Sequence, residues 1–212
     1  MTETVPIPFQ ITVCGLDELA DQASAGVSHV LSILDPGWPE PEVLRNFDIH
    51  RRLRLHFHDV IEPLPGWIAP ERWDVDLLLA FGRTVAGAAG GPAGAHLLVH
   101  CHAGVSRSTA AAILILAQLH ADRPADEALA EVARLRPRAW PNLRMLELGD
   151  AALGRNGEIV VAARAQYRRV LAREPQLAEA MIGGYDQFVA NVPFYGFAVL
   201  CIDLTENFAD QS

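Results

Sequence analysis

The chain has 212 residues, of which 50% are hydrophobic and 20% are charged, so it is long enough to bury a sizeable core. Its formal net charge of -9 disfavours nucleic acid and anionic membranes, and we expect neither as a partner. Cys14, Cys101 and Cys201 lack C-x-x-C spacing, which indicates a reducing compartment without a disulfide framework. The first ten residues do not resemble a signal peptide and no apolar run has membrane-spanning length, so we expect a cytoplasmic location.

Short apolar runs alternate with helical patterns along most of the chain. Strands are predicted at residues 9–14, 27–34, 52–60 and 95–100, with a helix beginning near Leu16 between the first two. Helices are predicted at residues 70–85, 108–120, 124–135, with Asp122 as the cap, and 141–153. This order predicts an α/β fold in which a central sheet is flanked by helices on both faces.

The segment His-Cys-His-Ala-Gly-Val-Ser-Arg-Ser, residues 100–108, joins the last predicted strand to the following helix. Unpaired backbone N–H groups and the dipole at the amino end of a helix favour an anion. The segment therefore predicts a binding site for a phosphate dianion.

Four residues of this segment carry the predicted chemistry. The positive helix end is expected to stabilise the Cys101 thiolate as a nucleophile, and Arg107 can offer two parallel donors to phosphoryl oxygens. The Ser108 hydroxyl is placed to stabilise the sulfur when it leaves a phosphoenzyme, and Gly104 allows the backbone to turn its N–H groups inward. The predicted phosphate-binding residues are His102, Ala103, Gly104, Val105, Ser106 and Arg107.

This order of residues resembles the signature of the cysteine-dependent protein tyrosine phosphatase superfamily, and Cys-x-Ala-Gly-x-Ser-Arg-Ser resembles its dual-specificity branch. Residues 27–34 resemble that branch's early core strand. Arg136-Pro137 and Pro141-Asn142 resemble its late segment, in which an asparagine buttresses the phosphate loop. The resemblance covers about residues 8–154. It implies a protein tyrosine phosphatase-like fold, a cysteinyl-phosphate intermediate, and no metal or organic cofactor.

The leaving oxygen needs a proton, so the mechanism requires a general acid. In the resembled family the acid follows the strand that precedes the long helix before the signature, and here that position is Asp59. It lies 42 positions before Cys101, which is longer than the usual dual-specificity spacing, and a proline-containing loop at residues 60–69 accounts for the extra length. The other candidate acids are Glu62, Asp74 and Asp76.

Three other functions compete with a cysteine phosphatase. His56, His58, His100 and His102 form two pairs on strand faces that suit a metal-dependent hydrolase, although the positive Arg107 would compete with a cation. A non-catalytic phospho-residue binding module would lack a nucleophile, acid or arginine, and the chain has all three. The third alternative, sulfur transfer by a rhodanese-like cysteine, explains Cys101 but gives no role to Arg107 and Ser108.

The interior of the signature contains no lysine or arginine, which favours a single phosphomonoester over a polyanionic inositol lipid. The expected partner is a phosphorylated protein or a small phosphomonoester. Phosphotyrosine is the leading substrate, with phosphoserine and phosphothreonine as alternatives, and the oligomeric state stays open. We expect a catalytic domain over residues 1–154 and a C-terminal extension, residues 155–212, packed on it. Within the extension, residues 158–173 are helical in pattern and residues 194–204 are strand-like or buried.

Overall fold

The computed structural model describes residues 7–47, 51–91 and 94–174, and within these ranges four strands form a parallel sheet. The strands are β1 (Gln10–Cys14), β2 (His29–Leu34), β3 (Arg51–His56) and β4 (His96–His100). Their order across the sheet is β1-β4-β2-β3, and each neighbouring pair is parallel. All four carboxyl ends therefore lie at one edge of the sheet, which is where the signature segment begins.

The same part of the chain forms five α-helices. They are α1 (Arg72–Ala88), α2 (Arg107–Leu119), α3 (Ala125–Leu135), α4 (Leu143–Leu153) and α5 (Glu158–Arg173). Short 3-10 helices at Ala20–Gln22 and Glu42–Asn46 lie in the connections after β1 and β2. The predicted helix near Leu16 is thus reduced to one 3-10 turn.

The α/β fold with a central sheet is confirmed, but its two faces differ. Leu97 and Val99 of β4 lie in the core that all five helices share, whereas Leu98 lies in a smaller cluster on the other face. That second cluster includes Leu44 of the second 3-10 helix and Leu19, which directly precedes the first. The helices on this second face are therefore short 3-10 helices, and the five α-helices share the core of the first face. Prolines at 36, 39 and 41 disfavour a helix in the connection after β2.

One strand boundary and one helix cap differ from prediction. β3 ends at His56: the Phe57 N–H still donates to the Leu34 carbonyl of β2 at 3.1 Å, but the His58 N–H leaves the sheet and donates to the Ile68 carbonyl at 2.7 Å. Asp59 therefore lies on the loop after β3 rather than within the predicted strand. Asp122 does not cap α3, whose N-cap position is Pro124 and has no side-chain cap.

Helix α5 packs into the main core. Its residues Ile159, Ala163, Tyr167 and Val170 are buried, and the Asp150 carboxylate on α4 accepts backbone N–H groups at the start of α5. The predicted division at residue 154 stays a prediction. The predicted apolar stretch 194–204 lies outside the described residues.

Among the described residues, no helix combines the length and apolar character needed to span a lipid bilayer.

Candidate active site

The loop between β4 and α2 turns sharply at Gly104. This residue has φ of +70°, and a Cβ there would lie 2.4 Å from the carbonyl carbon of Cys14 on the neighbouring strand. Only glycine combines this backbone conformation with such a close approach. The tight packing fixes the loop against the end of β1.

Cys101 lies at the floor of this loop and is 2% exposed. Its Sγ accepts the Gly104 N–H at 3.3 Å and lies 3.2 Å from Ser108 Oγ on the first turn of α2. The structure thus brings together the predicted nucleophile and the serine predicted to assist its departure.

The Arg107 side chain is buried beside the same loop and fixed along one edge. Its Nη1 donates to Asp35 Oδ1 and to the Phe57 carbonyl, each at 2.7 Å. The Nε is buried and has no hydrogen-bond partner among the described residues; it lies 3.7 Å from Asp59 Oδ2. A buried unpaired donor is costly, so this side of the guanidinium is suited to an incoming oxyanion.

Asp59 is buried next to the phosphate loop. Its Oδ1 accepts the Ser106 hydroxyl at 2.7 Å and the Asn142 side-chain amide at 2.8 Å. Asn142 also caps α4 by accepting the Met145 N–H at 3.0 Å. The asparagine that the family resemblance selected therefore connects helix α4 to the candidate acid.

The competing carboxylates have other contacts. Asp74 Oδ2 accepts the Glu71 N–H at 2.9 Å, and this caps the amino end of α1. Asp76 forms an ion pair with Arg72 at 2.8 Å, and Glu62 is exposed on the loop after β3. Of the four carboxylates proposed from sequence, Asp59 is the one that the structure places against the phosphate loop.

The Arg136 side chain, for which the sequence predicts no role, holds the back of the loop. Its Nε donates to the Gly104 carbonyl at 3.1 Å and its Nη2 to the Ala103 carbonyl at 3.3 Å. Its Nη1 donates to Glu18 Oε1 at 2.7 Å, and this hydrogen bond lowers the pKa of Glu18. Fixing the carbonyls on the outside of the loop leaves the peptide N–H groups to face inward.

Asp35, immediately after β2, was also missed. Its carboxylate contacts Nη1 of Arg107 as described above, although 72 residues separate them in the chain. The sequence signal is a polar residue directly after a buried strand of a parallel sheet, where ligand-binding residues concentrate.

Two imidazoles flank Cys101 in sequence and have different environments. His100 Nε2 lies 2.6 Å from Ser32 Oγ, and burial lowers the pKa of His100 to about 4. His102 Nε2 accepts the Asp35 N–H at 3.3 Å, and the Trp38 ring packs edge-on against His102 at a centroid distance of 4.5 Å. Burial, followed by the nearby Arg107 charge, lowers the pKa of His102. Both rings are therefore neutral near neutral pH.

The four histidines of the metal-site alternative do not assemble into one site. His58 Nδ1 accepts the Ile68 N–H at 2.8 Å, on the loop after β3, and His56 is exposed. Over the described ranges, no group of three or more histidine, cysteine, aspartate or glutamate side chains has the arrangement of a metal site. The proposed set of His56, His58, His100 and His102 is therefore not formed.

The comparison with protein-family models found no match. Short segments match curated UDP-N-acetylmuramate–L-alanine ligases from Gluconobacter oxydans and Granulibacter bethesdensis, 80% and 81% identical over 25 and 26 residues. These segments span 12% of this chain and 5% of each ligase. They are too short to assign a fold or an activity.

Solved structures match over most of the chain. Human DUSP28 is 19% identical with a TM-score of 0.52, covering 73% of this chain and 99% of that one. The Cydia pomonella PTP-2 phosphatase is 20% identical with a TM-score of 0.52, covering 71% and 90%. The Yvh1 phosphatase domain from Chaetomium thermophilum is 19% identical with a TM-score of 0.51, covering 74% and 97%.

The fold is that of the dual-specificity and protein tyrosine phosphatases. These structural likenesses confirm, at the level of the fold, the family resemblance that the signature predicted.

Proposed function

We propose that this protein hydrolyses phosphomonoesters as a protein tyrosine or dual-specificity phosphatase, through a cysteinyl-phosphate intermediate and without a metal or organic cofactor. The observation that carries this proposal is the placement of Cys101 Sγ. It accepts the Gly104 N–H and lies beside Ser108 Oγ, in a loop that also positions the buried guanidinium of Arg107.

In the first step, the backbone N–H groups of the loop and the Arg107 side chain hold the phosphoryl oxygens. Cys101 Sγ attacks phosphorus in line with the leaving oxygen, so that the S–P bond forms as the P–O bond breaks. The leaving oxygen takes a proton from Asp59. The products of this step are the free alcohol or phenol and the cysteinyl phosphate.

In the second step, water attacks the phosphorus of the intermediate while Asp59 takes a proton from that water. The S–P bond breaks, and its electron pair returns to Cys101 as the thiolate. The Ser108 hydroxyl, 3.2 Å from Sγ, stabilises this developing charge. Inorganic phosphate leaves, and the enzyme is restored.

The two carboxyl oxygens of Asp59 suit a residue that donates a proton in the first step and accepts one in the second. Oδ1 accepts two hydrogen bonds, from Ser106 and Asn142, which fix the orientation of the carboxyl group. Oδ2 lies towards the guanidinium side of the site, 3.7 Å from Arg107 Nε. The proton that Asp59 gives and later takes is therefore assigned to Oδ2.

We infer a phosphorylated protein or small phosphomonoester as substrate, with phosphotyrosine first. The interior of the loop presents a neutral His102 and no lysine or arginine, which gives few attachment points for a second phosphate. The alternative of a non-catalytic binding module has less support, because the nucleophile, the arginine and the candidate acid all lie around one loop.

Hydrolysis of p-nitrophenyl phosphate tests this proposal. We expect wild-type activity to be inhibited by vanadate and unaffected by a metal chelator. The Cys101→Ser variant should lose turnover, with an unchanged circular dichroism spectrum and retained binding of a phosphotyrosyl peptide. Activity that survives in Cys101→Ser and disappears with chelator would overturn the proposal in favour of a metal-dependent hydrolase.

A further inference from the structure

The two-step reaction leaves one carboxylate at the site without a role. Asp35 Oδ1 lies 2.7 Å from Nη1 of Arg107, closer than the 3.7 Å between Arg107 Nε and Asp59 Oδ2. The Asp35 side chain is 38% exposed, whereas the Arg107 side chain is 4% exposed. The carboxylate therefore stands between solvent and the buried guanidinium.

The position of Asp35 is fixed through its backbone. Its N–H donates to His102 Nε2 at 3.3 Å, which ties the residue to the phosphate loop. Its carbonyl oxygen lies 3.4 Å from His56 Nδ1 at the end of β3, which suits a hydrogen bond from that ring nitrogen. Pro36 follows directly and restricts the chain. The carboxylate is thus held in place before any substrate arrives.

The contacts of Arg107 divide the guanidinium into two sides. Nη1 is occupied by two acceptors, Asp35 Oδ1 and the Phe57 carbonyl. Nε has no hydrogen-bond partner in the described parts of the chain. Because a guanidinium is planar and rigid, fixing Nη1 also fixes the direction in which Nε points.

Two carboxylates and one imidazole lie around the Arg107 guanidinium. Asp35 and Asp59 both approach the Arg107 guanidinium, and His102 accepts a hydrogen bond at Nε2 as a neutral ring. The attraction for phosphate thus depends on Arg107 and the amino end of α2. A second anionic group on the substrate would meet an exposed carboxylate at the entrance.

We propose that Asp35 is a positioning and specificity-determining residue: it orients Arg107 through Nη1, and its charge selects phosphomonoesters that have no second anionic group beside the phosphate. This inference rests on the proposed phosphatase function. We keep Asp59 as the general acid, because its carboxyl group is buried against the phosphate loop through Ser106, whereas the Asp35 carboxylate is engaged by Arg107 Nη1 at 2.7 Å.

Two substitutions of Asp35 separate its effect on the orientation of Arg107 from the effect of its negative charge. Asp35→Asn keeps an oxygen that can accept from Nη1 but removes the charge, and Asp35→Ala removes both. Glu42→Gln is the matched control, because it removes one charge from an exposed position in the same connection after β2. The substrates are two phosphotyrosyl peptides that differ only in having glutamine or glutamate on either side of the phosphotyrosine.

Wild type should prefer the glutamine peptide. In Asp35→Asn, we expect kcat to stay within a few-fold of wild type and the glutamate-to-glutamine ratio of kcat/KM to rise about tenfold. In Asp35→Ala, kcat should fall about tenfold or more for both peptides, because Arg107 loses one of its two fixed acceptors. Glu42→Gln should change neither ratio nor kcat.

An unchanged peptide ratio in Asp35→Asn would overturn the specificity role, and an unchanged kcat in Asp35→Ala would overturn the positioning role. Loss of turnover in Asp35→Asn together with loss of the basic limb of the pH profile would make Asp35 the general acid instead.

A titration with inorganic phosphate separates failure of this inference from failure of the proposed function. If wild type shows no Cys101-dependent turnover, the proposed function fails. Asp35 is then judged by binding alone: tighter phosphate binding by Asp35→Asn than by wild type supports its effect on charge, and equal binding overturns it.

Discussion

The orientation of the Asp59 carboxyl group is fixed by two residues that lie far from it in sequence. Ser106 of the phosphate loop and Asn142 at the start of α4 both donate to its Oδ1. These hydrogen bonds restrict the rotation of the carboxyl group, so its second oxygen has a defined direction. Such fixed geometry is what proton transfer to a leaving group requires.

Replacing Asp59 by Asn should therefore slow substrates according to their leaving groups. We expect a fall in kcat of roughly 100-fold for phosphotyrosyl peptide, a smaller fall for an activated aryl phosphate, and a flattened basic limb of the pH profile. Steady-state kinetics with both substrates between pH 5 and 9 would measure this. Glu62→Gln, Asp74→Asn and Asp76→Asn are the controls. If one of them shows this signature while Asp59→Asn stays near wild type, the acid is misassigned.

At the residue scale, the sequence predicted the groups within the signature and missed those that reach it from elsewhere. Cys101, Arg107 and Ser108 are recognisable because their spacing is local. Asp35 contacts Nη1 of Arg107, which lies 72 positions away in the chain. Arg136 donates to the carbonyl of Gly104, which lies 32 positions away. Such contacts depend on how strands and helices pack, which no local pattern specifies.

Among the elements, β4 does most to position the site, since it ends directly before Cys101. Its residues are buried on both faces, as expected for an inner strand of a parallel sheet. His100 is the last of them, and Ser32 on β2 lies within hydrogen-bonding distance of its ring. The strand thus carries a buried imidazole next to Cys101.

This buried imidazole should make stability depend on pH. The ordinary pKa of 6.5 is lowered to about 4 in His100, so the unfolded chain binds this proton more readily than the folded chain. Stability should therefore fall as pH decreases from about 6.5 to about 4, by up to about 3 kcal/mol for this group. Urea unfolding of wild type and His100→Gln at several pH values would measure the difference.

His56→Gln is the matched control, because His56 is exposed at the end of β3. It should keep the wild-type pH dependence, whereas His100→Gln should show a shallower one. Equal pH dependence in all three proteins would contradict the assignment.

Helices were predicted correctly where the hydrophobic pattern extends over many residues. The helix predicted over residues 158–173 matches α5, and α2 begins within one residue of its prediction. It failed where tertiary hydrogen bonds redirect the chain, as at His58, whose N–H leaves the sheet for the Ile68 carbonyl. The helix predicted near Leu16 is likewise reduced to the 3-10 helix Ala20–Gln22.

For the whole molecule, the position of α5 bears on how the chain divides into units. Tyr167 packs against Trp140 at a centroid distance of 4.6 Å, and its hydroxyl donates to the Pro141 carbonyl. Pro141 directly precedes Asn142, which contacts Asp59. Helix α5 therefore supports the segment that holds the candidate acid.

Removing α5 should consequently destabilise the fold. We expect a protein ending at residue 154 to lose cooperative unfolding, because the four buried apolar side chains of α5 would no longer cover the core. Urea unfolding of proteins ending at residues 154 and 174 would show this. Equal unfolding midpoints for the two truncated proteins would mean that α5 is dispensable.

A smaller change, Tyr167→Phe, should lower the free energy of unfolding by about 1 kcal/mol, because the hydrogen bond to the Pro141 carbonyl is lost.

The central claim is that Cys101 carries the phosphoryl group during turnover, and the most direct measurement traps that intermediate. Wild type and Ser108→Ala are mixed with an activated aryl phosphate, quenched in acid during turnover and analysed by peptide-mapping mass spectrometry. We predict one phosphoryl group on Cys101, with more of it in Ser108→Ala, because departure of the thiolate from phosphorus is slower there. Phosphate found on another residue, or undiminished turnover in Cys101→Ser, would contradict the account.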